Sequence, residues 1–369
     1  MIGVAEIQRS LTAAWRIFLG RPDAMRLLDT SDDGFWRSFQ AILIVAPVYA
    51  LTSLADWNAT AATAATGADL SGGAFFTSPL VILVLDWVTL PIVLAAMFIF
   101  AFGLVTLGLG IIASMMGIFN FAQGEFVLLG GYITYLAYSH GIPIWVGMAA
   151  APFLVGALGF VLEGLIIRRF YMAPIVAMLG TYALGLILRE SVRTLIGGFY
   201  LTVPEPIGGS INIGSANISA WRFTIIVITA LVMIGCYLLL SRTTFGLRVR
   251  ATLENPALAR ASGISTPMIY GATFAFGAAL AGLAGALIVP VFSLFADLGI
   301  RFLIQGFVAV MVGGVGSFMG PVAGAAVIGT LSAALPWVIA PVVADILVFV
   351  LAIVFIKFRP QGLLSGKGV

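Results

Sequence analysis

Apolar residues in this chain fall into runs long enough to cross a lipid bilayer. Crossing about 30 Å of hydrocarbon takes roughly 20 apolar residues in a helix, which satisfies its own backbone hydrogen bonds. Such runs lie at 39–54, 79–118, 122–139, 145–167, 174–195, 221–241, 267–291, 302–317, 319–335 and 338–356. The first is short. The second is too long for one upright helix and is read either as one long tilted helix or as a broken set of three. The pattern predicts an all-α fold, a polytopic transmembrane helical bundle of about 8–10 membrane segments.

Composition points the same way. Apolar residues fill 61% of 369 positions and charged residues only 9%, and the mean hydropathy is +1.14. A soluble domain carries roughly 25% charged residues, so lipid is the expected solvent. The 43 glycines suit helices that pack through small residues, because lipid offers no hydrophobic contrast to drive them together. A formal charge of +3 suggests no nucleic-acid partner. One cysteine (Cys236) and one histidine (His140) leave no disulfide framework and no Cys/His metal cluster. Acids and bases precede the first apolar run, which does not read as a cleavable signal peptide.

The placement of charge sets the expected orientation. Arg168 and Arg169, the loop 242–266 with Arg242, Arg248, Arg250 and Arg260, and the C-terminus with Lys357, Arg359 and Lys367 are expected in the cytoplasm. The 196–220 stretch carries Glu205 and no Lys or Arg, so it is expected outside, as is 55–78 with Asp56 and Asp69. Two crossings separate Arg169 from Arg242, which keeps both flanks cytoplasmic. Between Arg260 and Lys357, one pass outward and three short ones satisfy the parity.

The segment from Gly246 to Ile264 is the most informative. Asn255 is a good N-cap, and Pro256 fits the first helical position, where its missing N–H costs nothing. Gly263 supplies a left-handed terminator, and Arg260 complements the C-terminal end of the helix dipole. A two-turn helix is therefore predicted on the basic side. It is either an ordinary topology-fixing loop or a docking helix for a cytoplasmic motor.

Its pattern of Gly246, Arg248, Arg250, Asn255, Pro256, Ala259, Arg260 and Gly263 resembles the cytoplasmic loop of importer permeases that couple to ABC ATPases, specifically the branched-chain amino-acid and urea/amide permease family. Three other stretches are similar to that family: Gly110 to Phe126, Val312 to Pro321, and Phe358 to Leu364. Together they place an importer permease domain at 97–369 and leave residues 1–96 as an N-terminal extension with one or two membrane segments, read as a fused or appended module. The family usually has His where Gln123 stands and commonly Lys near Gln305; both departures keep hydrogen-bonding capacity and remove a titratable group.

The resemblance implies a multi-pass permease subunit in the cell inner membrane. Its partners would be a second permease subunit, identical or related, two cytoplasmic ATPase subunits, and an extracytoplasmic solute-binding protein. ATP and Mg would sit on the ATPases, because this chain has no Gly-x-x-x-x-Gly-Lys-Ser/Thr motif. It would bind no cofactor and no metal, and it would not itself be an enzyme. An ATP-independent secondary transporter or channel for a small neutral solute is the alternative.

Ionisable groups inside a bilayer are functional candidates by default. Asn120, Gln123, Gly124 and Glu125, at a break between apolar runs, are candidates for the translocation path; alternatively, Glu125 only caps the next helix. Glu163 reads as an interface-level charge beside Arg168, and Glu190 with Arg193 as a local ion pair. Small residues at Gly277, Ala281 and Gly285, and at Gly313, Gly314, Gly316, Gly320 and Gly324, are expected to pack helices closely.

Overall fold

The computed structural model describes residues 102–114, 117, 119–171, 173–197, 199–213, 216–316, 319–337 and 339–364, with Ala96 and Ile99. The apolar run at 39–54, the rest of residues 1–95, Asp86 among them, and Lys367 lie outside the described residues. The chain divides into two compact units, Met1–Val88 with Gly214–Ala216, and Thr89–Ile213 with Asn217–Val369; the helices below belong to the second.

They are α1 (Phe102–Ser114), α2 (Gln123–Ser139), α3 (Ile144–Leu165), α4 (Pro174–Ile196), α5 (Ala220–Arg242), α6 (Thr244–Glu254), α7 (Pro256–Ala261), α8 (Thr266–Ile288), α9 (Leu298–Gly313), α10 (Met319–Ala334) and α11 (Pro341–Phe358). Strands β1 (Ser210–Ile213) and β2 (Ala216–Ser219) pair as a two-stranded sheet between α4 and α5. Among the described residues α3, α4, α5 and α8 are each long and apolar enough to cross a membrane, and α1, α9 and α10 are shorter apolar helices. The protein is thus an all-α, polytopic membrane bundle. Of the 79–118 run, α1 is described and helical.

The core forms around α8, whose Phe274, Ala278, Ala281 and Ala284 are fully enclosed. Small residues allow this. A Cβ at Gly277 would lie 2.6 Å from Ile112 Cδ1 and 2.8 Å from the Gly108 carbonyl oxygen of α1. One at Gly285 would overlap the Val127 carbonyl of α2, and one at Gly130 would overlap that of Gly282. Backbones at this range gain dispersion contacts that lipid cannot supply. The Gly277/Ala281/Gly285 face is therefore an intrasubunit packing face. A second small-residue seam joins α9 to α10: Gly313 meets the Gly320 carbonyl, and Gly324 meets that of Ala309. Gly316 departs from the expected helical stripe. It lies before α10 at φ 101°, in the left-handed region that glycine adopts without a Cβ penalty.

The contacts fix direction. Gln123 meets Gly277, Gly130 meets Gly282 and Gly131 meets Val289, so α2 runs parallel to α8. Gly131 also faces Leu294, while Gly124 faces Gly299 and Leu303, so α9 runs antiparallel to both. At one end Arg168 Nη2 donates to the Pro267 carbonyl at 3.2 Å, joining the Arg168 turn to the start of α8. The C-terminal tail reaches that same end, where Leu363 and Leu364 donate to the carbonyls of Val312 and Gly313 at 2.8 and 3.0 Å. The three basic groups thus share one end of the bundle. At the other end, Leu201 bridges Leu294 and Arg193 pairs with Asp297 at 2.7 Å.

Candidate functional site

Two places in this frame collect the residues that the sequence singles out. The first is the elbow of α6 and α7 at the basic end. Asn255 Oδ1 accepts from the backbone N–H groups of Ala257 and Leu258 at 3.1 and 3.0 Å, satisfying two donors that a helix start leaves open. Pro256 follows at the first position. At the far end Gly263 has φ 80°, and Ile264 N–H donates back to the Ala259 carbonyl at 2.9 Å, which closes the helix as a Schellman motif does. Ala259, Gly246 and Val249 are buried and anchor the elbow. Arg248, Arg250, Leu258 and Arg260 are exposed. The result is a short, rigid, basic ledge with an apolar knob, Leu258, and the basic stretch 244–254 is itself helical.

The second place lies inside the bundle. Between α1 and α2 the described residues 119–122 are not helical, and α2 begins level with Gly277, the midpoint of α8. The break is therefore at mid-depth. Its backbone is supported by side chains: Asn120 Oδ1 accepts from Ala122 N–H at 3.0 Å, and Thr181 Oγ1 of α4 accepts from Phe121 N–H at 3.1 Å. Gln123 works in both directions. Its Oε1 accepts from Asn120 Nδ2 at 3.2 Å, and its Nε2 donates to the Gly277 carbonyl at 3.0 Å. A neutral donor–acceptor fits that bridge, consistent with Gln at this position. Irregular backbone at membrane depth is tolerated where protein satisfies it, as here.

Glu125, in the first turn of α2, is fully buried and ion-paired with Arg189 of α4. Arg189 Nε donates to Glu125 Oε1 at 3.0 Å, and Nη2 donates to the same oxygen. Gly185, one turn before Arg189, lies against Ala122 and the Glu125 side chain; its missing side chain brings α4 close enough for the pair. Glu125 Oε2 has no hydrogen-bond partner among the described residues, so the carboxylate is only half satisfied. Gly124 and Gly299 close over it, since a Cβ at either position would overlap the other's carbonyl oxygen. All four candidate path residues are enclosed in this conformation.

Arg189 and Thr181 are the residues that sequence reasoning missed here. Arg189 stands inside an apolar run, which is itself a signal, but the neighbouring Glu190–Arg193 spacing drew the pairing locally. That pair exists, at 2.9 Å. Glu163 pairs with Arg168 near the basic end and is itself buried; it accepts from Arg168 Nε and Nη2 at 3.2 and 2.8 Å and from the Tyr171 hydroxyl. The bond to Glu163 holds the Arg168 pKa above its ordinary value, and burial, then the same carboxylate, pushes Tyr171 up. Gln305, the other departure, is buried on α9 with Oε1 unpartnered among the described residues. Three motifs meet near the basic end. Gly316 N–H donates to Ser114 Oγ at 3.0 Å, Gly110 lies against Pro321, and Gly314 packs on the tail at Gln361 and Leu364.

Comparison with known proteins adds the family. The high-affinity branched-chain amino acid transport system permease protein BraD of Pseudomonas aeruginosa is 28% identical over 288 residues, 73% of this chain and 92% of that one. A probable branched-chain amino acid transport permease protein LivH of Methanocaldococcus jannaschii is 29% identical over 238 residues, 61% of this chain and 74% of that one. Among solved structures, PsaBC from Streptococcus pneumoniae in complex with Fab aligns at a TM-score of 0.43 and 15% identity, covering 76% of this chain and 96% of that chain. Residues 91–356 match the family model described as the branched-chain amino acid transport system permease component, so the chain belongs to that family and is a multi-pass membrane transport subunit.

Proposed function

We propose that this chain is the membrane-spanning permease subunit of an ATP-driven importer for branched-chain amino acids. Two such subunits, identical or related, form the path. Two ATPase subunits dock on the 246–264 elbow, which faces the cytoplasm with the C-terminus, and a solute-binding protein delivers the solute from the opposite side. The names of the relatives favour branched-chain amino acids over urea or short amides. ATP with its Mg is hydrolysed on the partners.

The observation that carries the reading is the α6–α7 elbow. A topology-fixing loop needs only its positive charge. This one is also capped at Asn255, terminated at Gly263 and anchored at Ala259, so it is stiff enough to pass a displacement from a motor to the end of α5 and the start of α8. Exposed Leu258 and Arg260 offer an apolar knob and a charge to a socket.

Arg260→Glu tests it. The variant should insert and melt like the wild type, yet lose capture of the ATPase subunits in mild detergent and lose at least about tenfold of ATP-driven leucine uptake, since a reversed charge at an interface costs several kcal/mol. Undiminished uptake by the variant would overturn the docking role. Leucine uptake by the chain alone in liposomes, without ATP, would overturn the importer.

A further inference from the structure

We infer that Glu125 and Arg189 form a mid-membrane subsite for the two charged groups of an α-amino acid: the carboxylate of Glu125 receives the ammonium, and the guanidinium of Arg189 receives the carboxylate. The inference rests on the importer reading above and names the part of the chain that handles the zwitterion.

The pair is poorly made as a structural pin. Removing two charges from water costs several kcal/mol for each, and the cost is recovered only when geometry is good and the remaining lone pairs are satisfied. Here Nε and Nη2 of Arg189 both donate to one oxygen of Glu125, and the other oxygen, in a fully buried residue, has no partner among the described residues. Nor do its polar neighbours complete it: Asn120, Gln123 and Thr181 are spent on the backbone of the break and on one another. A carboxylate left half satisfied at mid-depth has spare acceptor capacity for an ammonium group. The zwitterion carries its opposite charges on one Cα, so it can lie antiparallel across the pair and exchange one protein ion pair for two.

The surroundings suit such an exchange. The bare oxygen faces Gly299, and a Cβ there would lie 3.1 Å from it. The lid over the site is thus a Gly124–Gly299 backbone contact between α2 and α9, with no side chain at either closing position. Beyond it stand Leu303 beside Gly124 and Phe121 stacked with Phe307 at 6.1 Å, apolar groups for a branched side chain. In the enclosed conformation Glu125 and Arg189 neutralise each other's charge; when α9 withdraws, solute replaces each partner. Because the charges are stored as a pair, the empty path never exposes a lone charge to hydrocarbon.

The test uses the chain assembled with its ATPase subunits and its binding protein in proteoliposomes. The double variant Glu125→Gln with Arg189→Met keeps side-chain volume and removes both charges, so it leaves no uncompensated ion. It should still capture the ATPases, lose at least tenfold in ATP-driven leucine uptake, and lose crosslinking of a diazirine analogue of leucine to peptides spanning 120–125 and 185–189, which the wild type should show under turnover. Wild-type uptake in the double variant would overturn the inference and leave a dispensable pin. Loss of ATPase capture together with uptake would also overturn it, by showing that the pair holds the fold. Failure of the wild-type complex to take up leucine with ATP would instead overturn the importer reading itself.

Discussion

Among the described residues two carboxylates are buried beside an arginine, Glu163 and Glu125, and they are built differently. Glu163, near the basic end of α3, has both oxygens engaged: Arg168 donates to each, and Tyr171 adds a third bond. Its arginine keeps 40% of its side chain exposed, so the pair stays in touch with interfacial water. Glu125, at mid-depth, has one oxygen shared by two donors and one without a partner among the described residues, and its arginine is only 13% exposed. Each carboxylate is even covered by a glycine, Gly271 for Glu163 and Gly299 for Glu125. Burial alone therefore does not separate a structural ion pair from a working one. The completeness of its hydrogen bonding does, because an unsatisfied buried group is tolerated where something else repays the cost.

The largest separation is expected from removing each carboxylate's charge. Glu125→Gln strands Arg189 in the bundle, and breaking a buried pair from one side costs about 3–5 kcal/mol. Glu163→Gln leaves Arg168 able to turn toward water, so about 1 kcal/mol is expected, as for a partly exposed pair. Melting of the two variants in the same detergent should differ accordingly, with leucine uptake lost in the first and largely kept in the second. Equal melting would mean that mid-depth Arg189 has a water path that its low exposure does not suggest.

A smaller but sharper separation comes from the covering glycines. At Gly299 an added methyl meets the Gly124 backbone, which cannot yield without moving α9; overpacking of this kind costs typically about 1–3 kcal/mol. At Gly271 the methyl would meet Phe160 Cε2 at 3.0 Å, the edge of a ring that can shift, and Glu163 Oε2 at 2.9 Å, a side-chain end that can move together with the half-exposed Arg168. There the gain of roughly 1 kcal/mol from replacing a helical glycine by alanine offsets the crowding. Gly299→Ala should lower both melting temperature and uptake, and Gly271→Ala should leave both near the wild-type values. A benign Gly299→Ala would show that the α2–α9 contact is looser than the enclosed geometry requires.

The bundle was legible from hydrophobic runs because lipid imposes one solution, the helix, on every apolar stretch of sufficient length. The run at 174–195 became α4 at Pro174–Ile196, and 319–335 became α10 at Met319–Ala334. The α7 helix was legible too, since Asn255, Pro256 and Gly263 each act within a few residues of chain. The Glu125–Arg189 pair was not. Its partners are 64 residues apart, and the Glu190–Arg193 spacing offers a nearer pairing, the one that Arg193 makes. Burial of Glu163 was hidden for a similar reason: the basic flank reads as interface, whereas Gly271 of α8 covers the carboxylate. The family model begins at residue 91, a few residues before the boundary that the motifs alone suggest.

The smallest effect concerns Tyr171, between α3 and α4 and outside the spans. Its phenol donates to Glu163, and burial, then that carboxylate, raises its pKa above the ordinary value of 10.0. The sign follows from linkage. In the unfolded chain the phenol ionises as pH passes about 10, whereas in the folded protein it keeps its proton. The unfolded state therefore binds fewer protons, and stability falls as pH rises, by at most about 1.4 kcal/mol per pH unit for one proton. The contribution is complete below about pH 10 and fades above it. Tyr171→Phe should cost about 1 kcal/mol at neutral pH through the lost hydrogen bond, and its melting temperature should fall less steeply than the wild type's between about pH 9 and 11. Parallel alkaline limbs would mean that Tyr171 ionises as freely in the fold as outside it. The third bond to Glu163 would then be too weak to hold a proton, and the contrast with Glu125 would rest on Arg168 alone.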